Sequence, residues 1–220
     1  MFILNKFDGS LKTKYPIIGH GNQGTVFKIS DDTVLKIYNI SGRRNSENGD
    51  LEVARRLEKL KLKRFVTPFD IIEKNNLLLG YKMEKVPFDH VDVVDLKIKD
   101  YIDSLREIRD DVLKISAAGI QLSDLQEHNI CVSNGKIKIY DFSDYFLGDK
   151  NIKIHNKNAI NDCFGSMCLM KVLEDDHIFV YDTIYSPFLS SRYDNFEDFL
   201  DSKTDNKNMT VKEYVCSLKK

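Results

Sequence analysis

Apolar and polar residues alternate with a short period over the first third of the chain. Residues 15–18, 25–29 and 33–38 are β-prone runs, separated by a glycine-rich turn and by Asp31-Asp32, and they predict three strands. A polar loop over 41–50 follows. Val53, Leu57 and Leu60 then recur at helical spacing, so a helix is predicted from Leu51 to about Leu62 with Asp50 as its cap. Runs at 69–72 and 77–83, with Asn75-Asn76 between them, predict two further strands and a turn.

Near residue 87 the period lengthens. Ile98, Tyr101, Ile102, Leu105, Ile108, Val112 and Ile115 lie three or four apart, one long apolar stripe that Gly119 can terminate. Residues 129–132 and 136–140 read as a hairpin closed by Asn134-Gly135. A loop follows Asp141, then a helix from about Ala159 to Leu173, then two short amphipathic segments. In the last of these Val211, Tyr214, Val215 and Leu218 share a face that packs back on the helices. Strands and one helix first, then mainly helices, predict an α+β chain of two lobes sharing a cleft.

Composition narrows the picture. The 220 residues are 42% hydrophobic, enough for a folded chain with a substantial core. With 33 basic and 34 acidic residues the formal net charge is -1, which gives no long-range attraction to nucleic acid or an anionic membrane. Cys131, Cys163, Cys168 and Cys216 form no C-x-x-C pair, so neither zinc nor a disulfide framework is expected, and the thiols fit a reducing compartment. Residues 1–11 hold no long apolar stretch, and no apolar run approaches the ~20 residues that span a bilayer. The expectation is a cytoplasmic protein; export by a route without such a signal is compatible with the same residues.

Three stretches carry chemistry. The first is Gly19-His20-Gly21-Asn22-Gln23-Gly24-Thr25-Val26. Glycines so spaced let backbone amides approach phosphates, and the β-prone run after them separates this turn from the dinucleotide-binding pattern, where a helix follows. The second is Lys36, twelve residues after Gly24 within the apolar run Val34-Leu35-Lys36-Ile37. A lysine there needs a partner if it is buried. Glu52 at the start of the following helix is the preferred one, Glu58 competes on the same helix, and Glu47 in the loop is a poorer choice. The third is Asp124, with Asn129 five residues on and Asp141 twelve after that, with a hairpin between. A phosphoryl-transfer site needs a carboxylate to orient the attacking hydroxyl and oxygen ligands for magnesium. Each residue alone reads as an ordinary turn or surface group; their ordered joint occurrence is the signal. His20 and His128 read as polar surface groups.

Over residues 14–173 the chain resembles the protein-kinase-like superfamily, whose motifs occur in this order. The resemblance implies that Gly19, Gly21 and Gly24 cover the phosphates of ATP and that Val26 packs on adenine. Lys36 and Glu52 resemble the strand lysine and its helix partner. Met83 resembles the gatekeeper, with the backbones of Glu84 and Val86 on the adenine edge. Asp124 is similar to the catalytic-loop aspartate, Asn129 and Asp141 to the magnesium ligands, and Asp162 to the helix aspartate that braces the catalytic loop. One domain over 1–220 is implied, with a β-rich N-lobe to about residue 86 and a shortened helical C-lobe after it.

The departures carry information too. Leu122-Ser123-Asp124 stands for His-Arg-Asp, so a phosphorylated activation loop lacks its anchor. Gln126 replaces a lysine two residues after Asp124, Ser143 replaces the glycine of Asp-Phe-Gly, and no Ala-Pro-Glu follows. The expected activity is ATP- and magnesium-dependent transfer to Ser or Thr hydroxyls of a protein substrate, with an activating protein partner as a further possibility. A small-molecule phosphotransferase and a nucleotide-binding pseudokinase without turnover are the alternatives.

Overall fold

The computed structural model of the chain describes residues 14–21, 23–39, 50–87, 89–173 and 177–219. Residues 41–49 of the polar loop expected over 41–50, Glu47 among them, together with Asn22 and the stretch 1–11, lie outside the described residues. Among the described residues the fold is mixed α+β: a five-stranded antiparallel sheet with the helix at Asp50–Glu58 is followed by a mainly helical part.

The sheet has the order β1-β2-β3-β5-β4, from β1 (Ile17–His20), β2 (Gly24–Lys28), β3 (Thr33–Tyr38), β4 (Pro68–Lys74) and β5 (Leu77–Glu84). Strand β3 is therefore interior, with Lys36 opposite Val26 on one side and Tyr81 on the other. Because successive side chains point to opposite faces, Leu35 and Ile37 pack with Phe27 on one face, whereas Tyr38 and Tyr81 join the larger core on the other. Strand β3 is closely flanked by backbone. A Cβ on Gly24 or Gly80 would lie 2.4 Å from the carbonyl oxygen of Ile37 or Lys36, so glycine is required at both positions. Asn75 and Asn76 both take positive φ, 52° and 60°, which makes the tight β4–β5 turn.

Helix α1 (Asp50–Glu58) buries Leu51, Val53, Ala54 and Leu57 against β4 and β5. It stops short of the expected Leu62, and Asp50 is its first residue rather than the residue before it. Beyond β5, a 3₁₀ turn at Val93–Asp95 leads to helix α2 (Ile98–Ala117). Every residue of the predicted apolar stripe is buried on α2, and Gly119 follows it at φ +74°, a left-handed terminus. Strands β6 (Ile120–Gln121) and β9 (Phe146–Leu147) pair with each other. Between them β7 (Ile130–Ser133) and β8 (Lys136–Ile139) form the expected hairpin, with positive φ at Asn134 and Gly135. The segment Arg64–Val66 adds to its edge: Ile139 N donates to Arg64 O and Val66 N to Ile139 O, each at 2.8 Å.

Helix α3 (Ile152–Asp162) begins seven residues before the expected Ala159. Its inward positions include Asn156 and Asn161, buried through hydrogen bonds rather than apolar contact, so no hydrophobic period marks its start. The expected continuation to Leu173 is broken by a π-helical turn at Cys163–Met167 and a 3₁₀ turn at Lys171–Leu173. Helices α4 (His177–Val180) and α5 (Ser186–Leu189) join through a second π-helical turn, Tyr181–Tyr185. Helix α6 (Phe196–Lys203) packs on α2. Helix α7 (Val211–Ser217) opens with a capping box of Thr210 and Glu213 and buries Val211 and Val215. Among the described residues no helix is long and apolar enough to cross a membrane, and all four cysteines are free thiols.

Candidate functional site

Two segments distant in sequence meet at Lys36. Its Nζ donates to Oδ1 and Oδ2 of Asp141 at 2.7 and 2.6 Å and to Oγ of Ser143 at 2.8 Å. The lysine is only 6% exposed, and a buried ammonium is tolerated only with such partners. Asp141 follows β8 at φ +65°, a left-handed conformation that turns the chain back toward the sheet. Ser143 returns two hydrogen bonds to Asp141 Oδ1, from its N at 3.1 Å and its Oγ at 2.5 Å. Burial alone would raise the Asp141 carboxyl; the Lys36 charge, its hydrogen bonds and those from Ser143 outweigh burial and hold the group below the ordinary carboxylate value. Behind this pair Phe142 packs on Tyr81, ring centroids 4.6 Å apart.

The expected Lys36–Glu52 pair does not form. Glu52 is exposed and accepts from Arg56 Nε at 2.9 Å. The geometry of α1 accounts for this. Its apolar positions fix which face is buried, and Glu52 falls off that face. Arg56 is meanwhile anchored by donating from Nη1 to the carbonyl of Ala118, at 2.7 Å, just past the end of α2. Glu58 is exposed as well. The carboxylate that Lys36 finds comes instead from Asp141.

Asp124 and Asn129 belong to one tight loop. Asp124 is exposed at φ +53°. The buried Asn129 donates from Nδ2 to the Asp124 carbonyl at 2.9 Å, which leaves its own Oδ1 as the atom that could meet a metal. Tyr140 N donates to Asn129 O at 3.0 Å, tying this loop to the residue before Asp141. Burial raises the pKa of the Tyr145 hydroxyl, and the negative charges of Asp141 and, more weakly, Asp124 raise it further. Gln126 Nε2 donates to Asp124 Oδ1 at 2.6 Å.

The glycine-rich turn closes through Gly21 N to Gly24 O at 2.9 Å, and Gln23 Nε2 reaches Asp144 Oδ2 at 2.9 Å, so the turn touches the segment that carries Asp141. A Cβ on Gly19 would meet Val26 at 3.5 Å, an ordinary contact, and one on Gly21 would meet nothing within 4 Å. Of the three glycines, Gly24 is thus the one that the sheet itself requires. Val26 is half-buried on β2. Glu84 ends β5 and pairs with Lys138 at 3.3 Å, and Val86 follows in the segment after it. A cleft of about 510 Å³ lies beside the hairpin, lined in part by Asp92, Glu127, Cys131, Tyr140 and Lys171. Val26, Lys36, Glu84 and Val86 do not line it.

One supporting residue was missed. Asn156 on α3 accepts from Leu122 N at 2.8 Å and donates to Ile120 O at 2.9 Å and Ser116 Oγ at 3.0 Å. It braces the strand that leads into Asp124, the part expected of Asp162. Asp162 is exposed and accepts from Tyr185. A polar residue in an unpatterned helix carried no signal of this in the sequence. Among the described residues no cluster of three or more His, Cys, Asp or Glu side chains could hold a metal. No protein-family model matches the chain, and no curated protein matches it.

Proposed function

We propose that this chain is a protein-kinase-like phosphotransferase that uses ATP and magnesium, its acceptor the Ser or Thr hydroxyl of a protein. The observation that carries the reading is the meeting of Lys36 with Asp141 across 105 residues, next to a loop in which Asn129 holds Asp124. The sheet with α1 is read as one lobe and the chain after residue 86 as the other.

Magnesium is bound in such sites by one or two protein carboxylates together with substrate phosphates, not by a full protein cage. Asp141 and the Oδ1 of Asn129 fit that donor set, and the lack of a three-acid cluster among the described residues is compatible with it. When bound, the ion neutralises charge on the phosphates. Lys36 is positioned to bind phosphate oxygens from the sheet side. The glycine-rich turn, whose Gln23 reaches Asp144, covers the same side. Asp124, exposed and held by Asn129, orients the attacking hydroxyl. Asn156 holds the backbone before Asp124 in place, and the cleft beside Tyr140 offers room for part of a substrate.

A specific observation favours a second reading, a nucleotide-binding module without turnover: Lys36 takes both oxygens of Asp141, and Gln126 takes one of Asp124. Purified protein with labelled ATP and magnesium, beside Lys36→Met and Asp124→Ala, separates the two. Transfer lost in both variants, with their folds intact, supports the phosphotransferase. Nucleotide binding without transfer supports the module, and absence of nucleotide binding overturns both.

A further inference from the structure

The Lys36 ammonium has a second set of partners behind Asp141. Ser143 Oγ, 2.8 Å from Nζ, is also 3.1 Å from the hydroxyl of Tyr38, and the Tyr38 ring centroid lies 5.6 Å from Nζ. The Tyr38 hydroxyl is itself buried, and burial pushes its pKa up, so it stays a neutral hydrogen-bonding group. Tyr81 faces Lys36 across the β3–β5 ladder, and its fully buried hydroxyl lies beside those of Tyr38 and Ser143 without an aligned hydrogen bond to either. The acids of α1 are arranged differently. Glu52 is taken by Arg56, Glu58 is exposed, and Asp50 is close enough for its charge to be felt at Tyr38.

We propose that the Ser143–Tyr38 hydroxyl pair positions the Lys36 ammonium, in the part that the sequence assigns to a carboxylate on α1; the inference rests on the phosphotransferase reading. An Asp141 carboxylate engaged by another cation leaves Lys36 with Ser143 Oγ and the Tyr38 ring. Both come from β3 and the Asp141 segment, so neither depends on how α1 is oriented. The serine at the position of the Asp-Phe-Gly glycine thereby acquires a role, since its hydroxyl joins the sheet to the lysine. Lysine placement is then uncoupled from any rotation of α1, consistent with a chain that has no arginine beside Asp124 to receive an activating phosphate.

The test compares Ser143→Ala, Tyr38→Phe, the double variant, Glu52→Gln and Asp50→Asn for Mg-ATP affinity and for the KM and kcat of transfer. A hydrogen bond to a charged group supports a loss of about ten-fold or more in ATP affinity and kcat/KM for Ser143→Ala, and a smaller loss for Tyr38→Phe. The double variant should fall short of the product of the singles, because both act through one ammonium. Ser143→Thr, which keeps the hydroxyl, should restore affinity, which a merely structural role for Ser143 would not require. A larger loss in Glu52→Gln or Asp50→Asn than in the hydroxyl variants overturns the inference and leaves the proposed function standing. No Mg-ATP binding by the unaltered chain overturns the proposed function and this inference with it.

Discussion

Asn156 Oδ1 accepts the backbone N–H of Leu122 at 2.8 Å, two residues before Asp124. The same side chain donates to Ile120 O and Ser116 Oγ, so one buried amide on α3 fixes both strand β6 and the loop after it. Asn156→Ala leaves buried backbone groups unpaired, at about 1–3 kcal/mol for each. The expected outcome is a clear drop in unfolding free energy by denaturant titration, with faster hydrogen exchange at Leu122. If the chain is the phosphotransferase proposed above, transfer should fall in kcat while nucleotide affinity changes little, because Lys36 and Asp141 stand on other elements. Equal losses in both would show that the brace extends through the whole site.

Gln126 donates to the Asp124 carboxylate at 2.6 Å and stands where the family resemblance expects a lysine. A lysine side chain can make the same contact and adds positive charge where negative charge develops in phosphoryl transfer. Gln126→Lys is expected to keep the fold and to match or raise kcat by up to about ten-fold. Gln126→Ala should lower it. Steady-state transfer rates decide, and a collapse in the lysine variant would assign the glutamine amide a function that charge cannot replace.

What the sequence revealed follows from how each element is stabilised. The α2 stripe, the β-prone runs and the Asn134-Gly135 turn are apolar periods and backbone preferences, both written directly in residue type. The ordered Lys36, Asp124, Asn129 and Asp141 were legible as a set, and the fold brings Lys36 to Asp141 and Asn129 to Asp124. Two features were not legible. Helix α3 is held by Asn156 and Asn161, whose burial depends on partners far along the chain. The orientation of Glu52 depends on Arg56 reaching Ala118 O, a tertiary contact that no local pattern encodes.

The four thiols differ by burial and should react in that order. Cys216 is exposed on α7, Cys131 is half-buried, and Cys163 and Cys168 are buried. Burial pushes the Cys131 thiol up to about 11, with Lys138 opposing and Asp89 and Glu84 adding to the rise. At pH 8 its thiolate is then about one part in a thousand, and the thiolate is the nucleophile. With a thiol-specific alkylating reagent and peptide mass spectrometry, Cys216 should be modified first and Cys131 at least about ten-fold more slowly. Cys163 and Cys168 should react only on unfolding. Rapid reaction at Cys163 would mean that the π-helical turn opens readily.

Glu197 on α6 supplies a pH test that is independent of the proposed chemistry. It is 2% exposed, and its Oε1 lies 3.0 Å from Arg109 Nη1 without an aligned hydrogen bond. Burial raises its carboxyl above the ordinary value; a backbone hydrogen bond and the charges of Arg109 and Arg106 oppose the rise, and Asp198 adds to it. A carboxyl raised in the folded state binds its proton more tightly there than in the unfolded chain. Its contribution to stability is therefore complete below the unfolded value and is lost as pH rises through the folded one. Glu197→Gln removes this dependence while Arg109 keeps Asp198 at 3.3 Å. The stability of the glutamine variant relative to the unaltered chain should thus increase as pH rises from the ordinary carboxylate range, then level off. Denaturant titrations of both proteins at intervals between pH 4 and pH 8 measure the difference. A difference that narrows over that interval would mean that Arg109 holds Glu197 ionised more strongly than burial opposes it.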